Sequence, residues 1–151
     1  MHKPLMDSSA QLSRDLYDEL ERVVRFIRKL ENPGNLSSAA VSTLGRLRAD
    51  GPTPLGELAR AEHVSQPNMT QLVTRLERAG LVQRAADPWD KRVVLVAIAK
   101  EGRTALEQRR KARTDALRPL LDRLDDPDRA AISAALPALR NLVSVEREAA
   151  A

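Results

Sequence analysis

The polar residues between Ser65 and Arg75 have the types and the spacing needed to read base edges. Met69, Leu72, Val73 and Leu76 fall at i, i+3, i+4 and i+7, so a helix over Gln66–Gly80 turns one face to a core. Its opposite face carries Gln66, Asn68, Thr70, Gln71, Thr74 and Arg75. Asn and Gln pair bidentately with adenine, Arg pairs with guanine, and Thr meets a base edge or a phosphate. An ordinary solvated face is richer in Glu and Lys, and Glu77 and Arg78 return to that pattern one turn later. Ser65 stands at the N-cap, where free amides and a partial positive charge suit a phosphate. Plain surface with a Ser cap is the competing account of these residues taken alone.

The neighbouring elements weigh against plain surface. A short helix, LGELARAEH (Leu55 to His63), precedes this one across a turn at Val64-Ser65. Two apolar strands follow, Leu81–Arg84 and Val93–Val96, around a charged tip over Ala85 to Arg92. A helix-turn-helix with a β-hairpin wing is a device for reading duplex DNA. Arg84, Lys91 and Arg92 place positive charge on that hairpin, where a phosphate or a narrow minor groove attracts it. Asp87 and Asp90 lie among them, so a salt-bridged turn is the rival reading, and Asp87-Pro88 is turn chemistry in any case.

Further helices must hold this module. Asp7 or Ser8 is positioned to cap a first helix to about Leu30, with Leu12, Leu16, Leu20, Val23, Ile27 and Leu30 as its buried stripe. Glu31-Asn32-Pro33-Gly34-Asn35 breaks it. Ser37 caps a second helix with Ala40, Val41, Leu44 and Leu47 on one face, ending at Asp50-Gly51. Thr53-Pro54 reads as cap and first residue of the third helix. A fifth helix is expected from near Lys100 to about Leu124, striped by Leu106, Leu117, Leu120, Leu121 and Leu124. Asp126-Pro127 opens a sixth, with Ile132, Leu136, Leu139 and Leu142, and the tail VEREAAA is expected to fray. Pro119 and Pro137 should kink the last two helices. The fold class is thus mainly α with a small β-hairpin wing. The segments are 1–35 (N-terminal helix), 36–99 (winged helix-turn-helix) and 100–151 (C-terminal helices), in one compact unit.

Bulk properties exclude several classes. The 151 residues suffice for one domain, and a formal net charge of +4 suits a polyanion. Tyr17, Phe26 and Trp89 are the only aromatics, too few to stack single-stranded bases. With no Cys, disulfides, thiolate metal sites and thiol redox sensing are out. MHKPLMDSS is no signal peptide and no run spans a bilayer, so a cytoplasmic protein without a membrane partner is expected. No catalytic residue, metal site or cofactor is expected. There are two His, with His2 in the N-terminal tail, and no phosphate loop, metal-spaced cluster or nucleophile motif. The alternative to a DNA reader is a winged helix used only as a protein-interaction module. That module would expose apolar residues on the fourth helix, where this chain is polar.

The chain resembles the MarR family of multiple antibiotic resistance regulators over nearly its whole length. LSSAAVSTLGRL looks like the family's second helix, PTPLGELARAEHVSQPNMTQLVTRLERAGLVQR like its reading module, and DPWDKRVVLVAIAKEGR like its wing and the start of the next helix. The resemblance implies a homodimer joined through the first, fifth and sixth helices, bound to a pseudo-palindromic operator in double-stranded DNA and acting as a repressor. It also implies release by a small aromatic or phenolic ligand between the two regions. Arg25, Phe26, Leu44 and His63 are the ligand-site candidates by position, with core packing or plain surface as the competing account of each. Two positions depart from the pattern. Trp89 stands where the wing's D-x-R-D-[RK]-R has its first Arg, leaving Lys91 and Arg92 to carry the charge. Ala99 replaces the Thr cap before the fifth helix, at a cost of about 1 kcal/mol.

Overall fold

The computed structural model describes residues 5–30 and 33–149. His2, Glu31, Asn32 and the last two alanines, which entered the sequence reading, lie outside those residues. In chain order the elements are α1 (Leu5–Lys29), α2 (Ser38–Asp50), β1 (Thr53–Pro54), α3 (Leu55–Ala61), α4 (Gln66–Arg78), β2 (Val82–Ala86), β3 (Val94–Ile98), α5 (Lys100–Leu121) and α6 (Asp126–Ala149). The protein is mainly helical, with a small antiparallel sheet in the order β1-β3-β2. Two compact units divide it, residues 1–113 and 114–151, with the boundary inside α5.

The core belongs to the first unit. Leu44, Leu47, Leu58, Met69, Val73 and Val96 are fully buried there, drawn from α2, α3, α4 and β3. The expected face of α4 is the buried one: Met69, Leu72, Val73 and Leu76. Ser37 caps α2, its Oγ accepting from the Ala40 amide at 3.1 Å. Gly51 follows α2 with φ +81°, a conformation open to glycine.

The last turn of α4 fixes where the wing begins. The Leu81 amide donates to Leu76 O at 2.9 Å and the Gly80 amide to Glu77 O at 2.9 Å, a Schellman closure with Gly80 at φ +72°. Leu81 is spent on that closure, so β2 starts at Val82 and not at Leu81. Val93 donates to Asp90 O in the loop, so β3 starts at Val94. The strands pair Val82 with Ile98 and Arg84 with Val96, longer than expected at their far ends. Leu81 O also accepts the Ala99 amide at 2.9 Å. Gly102 sits against the same carbonyl. A Cβ there would collide with Leu81 O and come within 2.9 Å of Ile98 Cγ1.

Several boundaries differ from the sequence reading. α1 starts at Leu5, so neither Asp7 nor Ser8 caps it. Its stripe is not buried: Leu12 is 65% and Val23 46% exposed, while Leu16, Ile27 and Leu30 are half-buried. The periodicity marks an amphipathic face correctly, but the described residues of the chain supply little to cover it. Thr53 is no helix cap. It pairs with Val96 in β1, and its hydroxyl donates to Gly51 O at 3.0 Å. α3 ends at Ala61, two residues before His63. His63 takes φ +53°, its amide donating to Arg60 O and that of Val64 to Ala59 O. This is again a Schellman closure, with His in the place usually given to Gly.

In the second unit, α6 is capped by Asp125 rather than Asp126. Its Oδ1 accepts the Asp128 amide at 2.9 Å. α5 ends at Leu121, short of Leu124, and α6 continues as helix to Ala149, through most of the tail expected to fray. Both helices run on through Pro119 and Pro137. Ile132, Leu136, Leu139 and Leu142 of α6 are exposed.

Candidate nucleic-acid interface

α4 presents the expected residues. Gln66, Asn68, Thr70, Gln71 and Arg75 are exposed and Thr74 is half-buried. Ser65 Oγ accepts from the Asn68 amide at 3.4 Å and Ser65 O from the Met69 amide at 3.0 Å, so the cap closes the first turn of α4. Pro67 in that turn has no N–H to satisfy, so it costs the helix nothing there.

The threonines are more committed than the sequence suggests. Thr70 Oγ1 donates to Gln66 O at 2.9 Å, and Thr74 Oγ1 donates to Thr70 O at 2.8 Å. Thr74 Oγ1 also accepts from Arg84 Nη2 at 2.9 Å. Arg84 reaches Thr70 O at 3.5 Å and pairs with Glu77 at 3.6 Å. Arg84 therefore ties the first wing strand to α4. Asn68, Gln71 and Arg75 are exposed, and Asn68 and Arg75 line a groove against the start of α2.

The wing tip is braced by carboxylates. Asp87 Oδ1 accepts the amides of Trp89 at 2.7 Å and Asp90 at 2.9 Å. Asp90 Oδ1 accepts the Arg92 amide at 3.0 Å, and its carboxylate pairs with Arg92 Nε at 3.3 Å. The Asp87 amide closes the loop on Val93 O at 3.0 Å. Arg92 nevertheless has a side chain 94% exposed, and Lys91 is exposed beside it. The salt-bridged turn and the basic wing thus coexist.

Arg46 is a positioning residue that the sequence reading missed. From α2 it pairs with Glu62 at 2.7 Å, donates to Ala61 O at 3.3 Å and lies 3.7 Å from Asp50. It ties α2 to the end of α3, at the start of the turn that leads into α4. No periodicity signals such a contact, because it joins residues sixteen apart, one in α2 and one in the turn after α3.

The four ligand-site candidates fall in three places: α1, the core face of α2 and the α3–α4 turn. Leu44 is wholly buried in the core. Arg25 pairs with Glu21 at 3.3 Å and lines a shallow groove on α1. Phe26 is 40% exposed on the same helix, and His63 lies in the α3–α4 turn. A different cavity, of about 210 Å³, lies between α2 and α5, with Arg48, Arg109, Arg110 and Arg113 among its lining. Arg109 is buried and donates to Leu36 O at 3.4 Å. Burial, and then the charge of Arg113, hold its pKa below the ordinary value. Arg113 Nε is buried with no hydrogen-bond partner. The signal was present: Arg109 and Arg113 fill helical steps between Leu106 and Leu117, within a stripe that is otherwise apolar.

Among the described residues no His/Cys/Asp/Glu group could hold a metal, and no helix is long and apolar enough to cross a membrane. The MarR family model matches residues 36–94. An HTH-type transcriptional regulator of Mycobacterium tuberculosis is 33% identical over 140 residues, 92% of this chain and 97% of that one. The HTH-type transcriptional repressor NicR of Pseudomonas putida is 33% identical over 118 residues, 71% of this chain and 75% of that one. A crystal structure of a Pseudomonas aeruginosa protein, described as a transcriptional regulator, superposes with a TM-score of 0.77 at 30% identity, over 90% of this chain and 96% of that one. With the winged helix-turn-helix already in view, these likenesses place the chain in the MarR family of DNA-binding transcriptional regulators.

Proposed function

We propose that the chain acts as a homodimeric, cytoplasmic repressor of a pseudo-palindromic operator, released by a small aromatic or phenolic acid. The observation that carries the reading is the exposed face of α4, where Asn68, Gln71 and Arg75 stand free for base edges while Arg84 and Thr74 hold the wing against that helix. Gln66, Thr70 and Ser65 lie nearer the phosphates. Lys91 and Arg92 supply sequence-independent attraction from the wing. Repression is supported by the likeness to NicR, a transcriptional repressor of Pseudomonas putida. Dimerisation is supported by the uncovered apolar positions of α1 and α6, since stripes of that length are costly to leave in water. Two copies of α4 then enter successive major grooves roughly 34 Å apart.

For the ligand, the cavity lined by Arg48, Arg109 and Arg113 is the better candidate than the dispersed set Arg25, Phe26, Leu44 and His63. A carboxylate there would meet guanidinium groups already held by the fold. A ligand releases DNA only through its differential affinity for the bound and free states.

Genomic footprinting with the purified full-length protein, repeated with a panel of phenolic acids, tests the whole reading. Discrete palindromic sites, lost on addition of one acid, are expected. Retention on duplex DNA that is unchanged between low and high salt would overturn it, because phosphate contacts must weaken with salt.

A further inference from the structure

Trp89 is the chain's one tryptophan and, among the described residues, its most exposed large apolar side chain, at 93%. An indole usually buries most of its area, and here it buries almost none. The residue is not loosely held. Its amide is bonded to Asp87 Oδ1 at 2.7 Å, and the loop closes on either side through Asp90 and Val93. The backbone is thus fixed, and the ring is carried outward on a braced tip. Lys91 and the fully exposed Arg92 follow it, and Pro88 and Asp90 flank it. One ring in charged surroundings is far too little apolar area for a protein interface, which needs about 800 Å² from each partner. It is the right size for a wedge between base pairs, a use to which apolar side chains are put in the minor groove. The cations beside it suit the negative potential of that groove.

We propose that Trp89 is itself a DNA contact: the indole enters the minor groove beside the half-site read by α4 and wedges against a base step, while Lys91 and Arg92 meet the flanking phosphates. The proposal rests on the reading of the chain as a duplex binder. It assigns the wing a role that a basic residue at the same place could not fill, namely preference for steps that unstack easily. Pyrimidine–purine steps such as TA are the softest, so the contact confers shape preference where no base edge is read.

The single tryptophan makes the test direct, since emission excited at the red edge of absorption reports Trp89 alone. The full-length protein is titrated at low salt with fluorescein-labelled duplexes, one of alternating TA sequence and one of alternating GA sequence, which has no pyrimidine–purine step. Duplex anisotropy reports binding, and tryptophan emission with acrylamide quenching reports the ring. Binding accompanied by loss of emission and by shielding from acrylamide, stronger on the TA duplex, is expected. Trp89→Ala should weaken TA-duplex binding about tenfold and remove the preference. The variant alters a solvated side chain, and circular dichroism confirms that it is folded. Anisotropy that rises while emission and quenching stay unchanged, or Trp89→Ala binding both duplexes as the parent does, overturns the contact and leaves the DNA reader standing. Absence of anisotropy change on either duplex overturns the reader itself.

Discussion

At the scale of single residues, chemistry divides between groups that are free and groups already in use. Arg75 is exposed on α4 with no side-chain partner among the described residues, whereas Thr74 is held by Arg84 at 2.9 Å. Arg75→Ala should therefore relax base preference at one operator position and cost about 1–3 kcal/mol there, if Arg75 reads a guanine. Comparing binding to operator and to random duplex measures it, and an equal loss on both would reassign Arg75 to a phosphate. Lys91 sits on the wing tip, away from the base-reading face. Lys91→Ala should weaken all duplexes alike and lower the slope of log affinity against log salt by about one. A loss confined to operator sequence would contradict this. The polar face of α4 was legible because apolar periodicity leaves its complement by subtraction. The commitment of Thr74 was not, because Arg84 reaches it only after the Gly80 turn folds β2 back along the helix.

At the scale of elements, the reading module is held by a few contacts that no local pattern encodes. Helix existence followed from apolar spacing, and its boundaries failed where a backbone amide was claimed elsewhere. Leu81 and Val93 look like strand residues, yet one closes a helix and the other a loop. β1 is a pair of residues whose strand character comes entirely from lying beside Val96 and Leu95. His63 could be read as a helix-end cation, but its role in the fold is to adopt φ +53° between α3 and α4. Gly102 shows the same dependence on tertiary context. Its missing side chain lets α5 start directly against Leu81 O, the carbonyl that also receives the Ala99 amide. Gly102→Ala would gain helix propensity of about 1 kcal/mol in isolation. In this fold the collision with backbone outweighs that gain, and a net destabilisation of about 1–3 kcal/mol is expected by urea denaturation. A more stable variant would mean that α5 shifts away from the wing at no cost.

At the scale of the whole molecule, the question is what covers the apolar faces that α1 and α6 leave in solvent. In α6, Leu136 and Leu142 are 48% and 51% exposed; in α1, Leu12 is 65% and Val23 46% exposed. Each helix repeats its apolar residues at core spacing, so each has the pattern of a buried helix without the burial. The proposed dimer resolves that conflict, and it sets the affinity as well. Two α4 helices tethered in one dimer bind the second half-site at an effective concentration in the millimolar range, which multiplies affinity with no new contact. A charge placed in the α6 stripe separates folding from pairing, because the position is already solvated within one chain. Leu136→Asp should leave helical circular dichroism intact, while sedimentation shifts from twice the 16.7 kDa chain mass to that mass itself. Operator affinity should then fall on the order of 100-fold or more, with half-site binding retained. A variant that still sediments as a dimer would place the pairing surface away from the middle of α6. A variant that becomes monomeric yet keeps full operator affinity would show that one copy of α4 and its wing suffices.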